Sequence, residues 1–305
     1  MAVIRANVDA LLYEGLKKVL FDVYKEAKPI WRDIFSVDNS KKAAEKGVGF
    51  SGFSLLSEKA ERASMAEDDP MLGYQTSFTH KSFALKTGIS EEATDDELYG
   101  VLKKMPQALS KTAIRTEETY AAKIFNAGFT AAGDFLTGGD GKYLFATDHP
   151  LKGGGAQSNK LSTAAALTVT SFEEMVTLMR KTVGDRGEML SLTPANLLFP
   201  PELSREAKEL LASELKPNTA DNAINWARDQ GVKAVSPSGW AYLTSPTAWY
   251  LLTDKTEHNL TFLMRTALKT DSWRDHNTKD FLFSVIERFS IGFWDFRGVC
   301  GTEGA

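Results

Sequence analysis

The sequence predicts an α+β protein, and three features carry the prediction. Residues 98–127 repeat apolar side chains at steps of three and four. Just before them, residues 50–90 are rich in Thr, Phe and Tyr and read as extended chain. After them, residues 130–300 alternate short helices and strands with no regular βαβ rhythm. Helical and extended periods that fall in separate blocks favour α+β over a doubly wound sheet.

The 305 residues can bury a sizeable core and hold two subdomains. Hydrophobic residues are 43% and charged residues 25%, ordinary for a globular chain. No apolar run approaches the roughly 18–20 residues of a membrane span. The first residues, MAVIRANVDALLYEGLKK, lack the apolar block and small-residue cleavage site of a secretory signal. Cys300 is the one cysteine, so no disulfide can form within the chain and a reducing compartment is expected. A net charge of −4 without a long basic run disfavours sequence-specific nucleic-acid binding. It is equally what a wall that encloses DNA without adhering to it would carry.

Taken in order, residues 7–28 read as an amphipathic helix. Val8, Leu11, Leu12, Gly15, Leu16, Val19, Leu20 and Val23 share a face, Asn7 is a candidate N-cap and Pro29 ends the pattern. That face needs a partner surface, on its own domain or on a neighbouring subunit. A short apolar segment, residues 31–35, and a polar, glycine-rich linker follow. Gly47, Gly49 and Gly52 match GxGxxG, and Asp68 and Asp69 lie near the distance of a ribose-binding acid. The dinucleotide reading fails, because that motif must leave a buried strand and open a helix. Here a polar stretch precedes it and extended chain follows, so a backbone role in a hairpin is expected.

Residues 50–90 read as a long two-stranded excursion. The outgoing arm is FSGFSLLSEK, and the tip carries Glu61, Glu67, Asp68 and Asp69 with Pro70 and Gly73 as turn-formers. The returning arm alternates at Tyr74, Thr76, Phe78 and His80, then shifts to Phe83 and Leu85, which predicts a bulge or bend. A lone hairpin is marginal in water, and its edges invite pairing with another chain.

The acidic run ISEEATDDELYG then feeds the long helix. Its carboxylates (Glu91, Glu92, Asp95, Asp96, Glu97) favour a helix N-terminus, and a metal site there is not favoured. The stripe runs Leu98, Leu102, Met105, Leu109, Ala113, Thr116, Tyr120, Ile124, Ala127, with no breaker between Pro106 and Gly128. Residues 106–127 would form a rod of roughly 33 Å.

The loop DFLTGGDGKYLFATDHPLKGGGAQSNK is the most site-like segment. Asp148, His149 and Ser158 could form a catalytic set and the glycines a phosphate cradle. No GxxxxGK[ST], GxSxG or HExxH occurs, and the four histidines are scattered, so a structural loop is expected. No catalytic, cofactor-binding or metal residues are assigned. Beyond it, Ser171 and Glu174 suggest a capping box and Gly184 a helix end. A strand at 197–199, a helix from Ser204 or Glu202, and strands at 248–252, 260–264, 281–286 and 289–294 complete the chain, with a polar loop at 271–277.

This order of parts resembles the major capsid protein of tailed bacteriophages, with the Hong Kong 97-type fold, and is most similar to the Mu-like branch of head proteins. The residues that carry the resemblance are GISEEATDDELYG, FATDHPLKGGGAQSN, LLFPPELSREAKELL, WYLL and FSIGFWDFRG, in the family's order. The resemblance implies an N-terminal arm (1–49), an extended loop (50–97), a peripheral domain with the spine helix (98–185), an axial domain (186–254) and a C-terminal return to the peripheral domain (255–305). It implies hexamers and pentamers of the same chain that close into an icosahedral shell around double-stranded DNA, with no cofactor and no membrane. Assembly would take place in the host cytoplasm and end in the virion. Because the chain opens on the arm, a separate scaffolding protein is expected, with a portal protein and, in some shells, a decoration protein. Inter-subunit contacts are expected from the tip acids Glu67, Asp68 and Asp69 towards Arg274, Lys279 or Arg288, from Lys81, and from the arm face at Leu12, Leu16 and Val19. Some members cross-link a loop lysine; Lys81 and Lys86 lie in that loop, but no catalytic glutamate can be assigned. The alternatives are an encapsulin-type compartment that loads protein cargo and, more remotely, a nucleotide-dependent enzyme.

Overall fold

The computed structural model describes residues 5–90, 92, 101–130, 137–215 and 224–305. Side chains are described from Tyr13 onward in the first helix and from Lys104 onward in the long one, and not for Phe50 and Ser51. The acidic run at 91–97, apart from Glu92, and Leu98 at the head of the predicted stripe lie outside the described residues.

The helices are α1 (Arg5–Glu26), α2 (Trp31–Ile34), α3 (Val101–Asn126), α4 (Val169–Arg180), α5 (Ser204–Ala212) and α6 (Trp226–Asp229). The strands are β1 (Ser36–Asn39), β2 (Ala44–Ser51), β3 (Met71–Thr79), β4 (Lys81–Ile89), β5 (His149–Pro150), β6 (Ala156–Gln157), β7 (Asn196–Leu198), β8 (Lys233–Ala234), β9 (Trp249–Leu252), β10 (Leu260–Arg274), β11 (Phe281–Phe293) and β12 (Val299–Thr302).

The spine helix α3 has 26 residues, about 39 Å at 1.5 Å per residue. It includes Pro106 inside the helix, which has no amide to donate to the Leu102 carbonyl. One sheet, ordered β1-β10-β11-β4, packs with α1, α2 and α3. Its centre is the long β10–β11 hairpin, with β1 parallel to β10 and β4 antiparallel to β11. The second sheet, ordered β12-β9-β7-β8, is covered by α4, α5 and α6. The core of this second layer also draws on Leu161, Leu167 and Cys300, outside the segment 186–254. Trp31 stacks on Phe262 at 4.1 Å, and Phe83 meets Tyr120 of the spine at 4.5 Å, which locks helix and sheet together through aromatic area.

Several sequence expectations change. The first helix begins by Arg5, so Asn7 is not its N-cap. The strand predicted at 50–59 lies earlier, at β2, because Ser51 pairs with Met71 and the ladder ends there. Residues 52–70 follow with no regular structure beyond a turn. The predicted bend is real: His80 separates β3, which pairs with β2, from β4, which joins the large sheet. The two strands expected on either side of Glu287 and Arg288 are one, because Glu287 takes an inward position between Val285 and Phe289. The polar loop begins after Arg274, since Asp271–Arg274 still pair with β11. The capping box is made by Thr168, with Ser171 as its third helical residue. That helix ends at Arg180, before Gly184.

Candidate assembly interface

The extended loop is built from its feet upward. Ser40 ends the run from β1, and His80 stands between β3 and β4. The His80 Nε2 sits 2.9 Å from Ser40 Oγ and its Nδ1 3.0 Å from Ser290 Oγ. Ser40 donates to Glu45 at 2.8 Å, so the Nε2–H donates to Ser40 and Nδ1 accepts from Ser290. One buried imidazole thus ties both feet of the loop to β11. Burial first, then the nearby Arg288, holds its pKa below the ordinary histidine value.

Above the feet, glycine lets the hairpin lie flat on the body. A Cβ on Gly47 would stand 2.4 Å from the Trp294 ring, and one on Gly73 3.0 Å from Gly49 Cα. Gly47 therefore serves close packing against Trp294 and Gly49 lies opposite Gly73, both in an extended strand rather than at a strand-to-helix turn, while Gly52 follows the strand at a φ of +24°. Higher still, Arg186 Nη1 reaches Ser54 Oγ at 2.5 Å and Asp68 Oδ1 and Oδ2 at 2.7 and 2.8 Å, and Nη2 donates to the Asp69 carbonyl. The Arg186 side-chain hydrogen bond, then the Ser54 amide, holds the Asp68 carboxyl below the usual carboxylate range. Beyond this neck Leu55, Leu56 and Met65 are exposed, Leu56 fully, and Phe53 and Leu72 are exposed just below it.

The N-terminal arm is placed differently. Leu16 and Leu20 are buried against Leu109 and Ala113 of the spine and Leu268, Phe281, Phe283 and Val285 of the sheet, and Val19 is half-buried. Leu12 lies in the helix, but its side chain is outside the described residues. So the arm's apolar face is used, at least at Leu16, within its own chain. Two neighbouring spine carboxyls fix the segment that follows. Glu117 accepts from Tyr24 Oη and, at 3.1 Å, from Trp31 Nε1. Glu118 accepts from the Ile30 amide at 2.6 Å and from Trp240 Nε1 at 2.6 Å. Burial raises the pKa of both.

The remaining predicted contact residues are dispersed. Asp68 is held by Arg186 rather than by Arg274, Lys279 or Arg288. Glu67 and Asp69 are exposed. Lys81 opens β4 opposite Phe289. Arg274 donates to the Lys279 carbonyl at 3.3 Å across the β10–β11 turn. Arg288 is half-buried beside His80. Sequence reasoning missed Arg186 and the spine carboxyls, whose roles depend on partners far away in the chain.

Among the described residues of the glycine-rich loop, Asp148, His149 and Ser158 do not converge. His149 Nδ1–H donates to Asp140 Oδ2 at 2.6 Å, and the ring stacks on Phe296 at 3.8 Å and is fully buried. Asp148 instead pairs with Lys142 at 2.5 Å, and Ser158 donates to the Lys160 carbonyl at 2.7 Å. Asn159 donates to the Leu144 and Val299 carbonyls, which ties the loop to the second sheet. Among the described residues no acidic, His or Cys cluster could hold a metal ion, and no helix is long and apolar enough to cross a membrane.

The family model for phage capsid protein matches residues 73–301, well over half of the chain. The chain belongs to the phage capsid protein family. No curated protein matches it in sequence. Solved structures similar to this capsid protein include the procapsid of bacteriophage JBD30, at 16% identity and TM-score 0.53, over 98% of this chain and 76% of that one. The capsid of the native GTA particle matches at 13% identity and TM-score 0.61, over 92% of this chain and 91% of that one. A virus-like particle from Pyrococcus furiosus matches at 10% identity and TM-score 0.50, over 95% and 98%. At such identities they establish the fold alone, the Hong Kong 97-type capsid fold. The capsid protein is accordingly a major shell subunit of the virion.

Proposed function

We propose that this capsid protein forms hexamers and pentamers that close into an icosahedral shell around double-stranded phage DNA, and that it belongs to the Mu-like branch. The observation that carries the reading is the extended loop: a neck pinned to the body and a tip whose Leu55, Leu56 and Met65 stand largely in solvent. An apolar tip held out from a fixed base gains its stabilisation by lying on a neighbour. Contacts between unlike surfaces, repeated around a ring, close into capsomers and add through multivalency. The tip acids Glu67 and Asp69 set register against basic groups of the next subunit, since exposed ion pairs contribute only about 0–1 kcal/mol each. In this reading residues 1–49 are the arm, 50–97 the extended loop, 98–185 with 255–305 the peripheral domain, and 186–254 the axial domain. Assembly proceeds in the host cytoplasm with a separate scaffolding protein and a portal protein, and a decoration protein is an optional addition.

Electron microscopy of the purified protein tests this directly, together with the nucleic-acid content of particles from infected cells. Closed shells that hold DNA are expected. Particles filled with protein cargo and free of nucleic acid would replace this reading with the compartment reading, and a protein that stays monomeric under all assembly conditions would overturn it.

A further inference from the structure

Three buried carboxyl groups surround the middle of the spine: Glu117, Glu118 and, across from them on β11, Glu287. Glu118 is satisfied by Ile30 and Trp240. Glu117 and Glu287 are in hydrogen-bonding contact with each other. Glu117 is fully buried and Glu287 is 3% exposed, and the buried Glu287 Oε2 has no hydrogen-bond donor of its own. Two carboxyls can share a hydrogen bond only if one carries a proton. We propose that Glu117 and Glu287 form a proton-held latch that docks the end of α1 and the turn into α2 on the spine, and that loss of the shared proton releases this N-terminal segment.

Charged groups near the pair are contributed by several elements; on β10 the bulged stretch opposite Glu287 carries Arg265, half-buried, and Lys269, exposed. From α1 comes the Tyr24 hydroxyl, and from α2 come Trp31 Nε1 and the Arg32 guanidinium, which lies over the Tyr24 and Trp31 rings at 5.9 and 5.3 Å. Arg32 is exposed and acts on Glu117 through space, so solvent screens it. The spine itself adds Glu118, a like charge. From β4 the residue opposite Glu287 is Phe83, which offers no counter-charge. Two ionised carboxylates in this dry site would repel with little to offset them. β11 cannot yield, because it is hydrogen-bonded to β10 and β4 along its length. The spine is fixed in the central core through Ile124 and Phe125. The N-terminal segment has no strand ladder to hold α1 and α2, although Leu16, Leu20, Trp31 and Ile34 are buried, and two of its donors, Tyr24 and Trp31, end on Glu117. It is the layer that can lift and admit water.

Burial and the Glu117 charge push the Glu287 carboxyl up to about 8. With a folded pKa above the unfolded value, the latch is complete below the ordinary carboxylate range, weakens as pH rises, and is lost as pH passes through about 8. The latch is a property of the single subunit, so its test is independent of shell formation.

The experiment is hydrogen exchange by mass spectrometry on the full-length unassembled subunit between pH 6 and 9.5, corrected for intrinsic exchange. Wild type, Glu287→Gln and Glu117→Gln are compared, because one neutral amide in either position abolishes the repulsion while keeping the shape. Residues 13–35 of the wild type are expected to lose about tenfold or more of their protection across this range while β10 and β11 keep theirs. Either Gln variant should hold its protection to pH 9.5. The proposal is overturned if the wild type shows no local loss, if protection falls uniformly across the chain, or if both variants follow the wild-type curve.

Discussion

Arg186 holds Asp68 from 118 positions away, with Nη1 at 2.7 Å from Oδ1 and 2.8 Å from Oδ2. The same guanidinium takes the Ser54 hydroxyl and the Asp69 carbonyl, so both strands leaving the hairpin end in one clasp. The clasp sets the direction in which residues 55–67 leave the body. Because the Asp68 side chain is partly exposed, the pair orders the loop more than it stabilises the fold. Arg186→Ala should leave the melting temperature within a degree or two. It should raise the rate of proteolytic cleavage within 52–70 several-fold, as local order is lost without global unfolding. The Asp68 carboxyl is held low, so the clasp is complete at neutral pH and loosens only as pH falls below the ordinary Asp value. Equal cleavage rates in wild type and variant would show that the clasp does not order the loop.

Gly47 lies against Trp294, where a Cβ would come within 2.4 Å of the ring. Trp294 also meets Phe78 edge-on at 4.5 Å, so the ring cannot simply swing aside. Gly47→Ala should therefore cost about 1–3 kcal/mol by overpacking. The loss should appear as a lower denaturant midpoint with an unchanged m-value. Gly141 is the control: its φ of +78° is strained for alanine, but its Cβ would meet open space. Gly141→Ala is expected to cost less, and an equal cost at both sites would argue against the packing role of Gly47.

His258 is buried beside Gly298 and accepts from the Leu260 amide at 3.4 Å through Nδ1. Burial lowers its pKa to about 4. The unfolded chain binds the proton near pH 6.5 and the folded chain only near 4. The stability from the neutral ring is thus fully present above 6.5 and is lost as pH falls towards 4. The loss should be on the order of 3 kcal/mol, since one pKa unit is about 1.4 kcal/mol. His80 shifts in the same direction and adds to the effect. Denaturation midpoints from pH 4 to 7 measure it, and His258→Gln should flatten the curve in that window. An unchanged slope in the variant would place the acid sensitivity elsewhere.

What could be read from the sequence follows from how local each signal is. The spine stripe, helix α5 after the paired prolines and the apolar strand Trp249–Leu252 are encoded in neighbouring residues, and they form where periodicity puts them. The Glu117-Glu118 pair looks like a solvated helix face, because nothing nearby announces Trp31 or Trp240. Its burial is decided by chain 86 and 122 residues distant. Glu287 broke one strand into two on the same reasoning, although a charged residue can occupy an inward strand position when another carboxyl shares its proton. Arg186 gave no signal at all, being one basic residue in a polar turn. The run of acids at the tip is plain in the sequence, but that Asp68 meets Arg186 is a property of the folded chain.

The exposed apolar residues at the tip separate folding from assembly. Leu55 and Leu56 touch solvent in the subunit, Leu56 completely. Replacing both with Asp removes no buried contact of the single chain, so its thermal midpoint should stay within about a degree or two. On a neighbour the same side chains would each bury an apolar surface worth about 1.5–3 kcal/mol, repeated at every subunit of the shell. Two carboxylates set into that contact would add an unpaired-charge penalty on top. The double variant is therefore expected to sediment as unassembled subunits or small oligomers under conditions where the wild type makes closed shells. Removal of residues 60–72 should do the same by shortening the reach of the tip. Normal shells from the Asp variant would mean that the apolar tip is not what joins the subunits, and the neck and arm would then have to carry the contact.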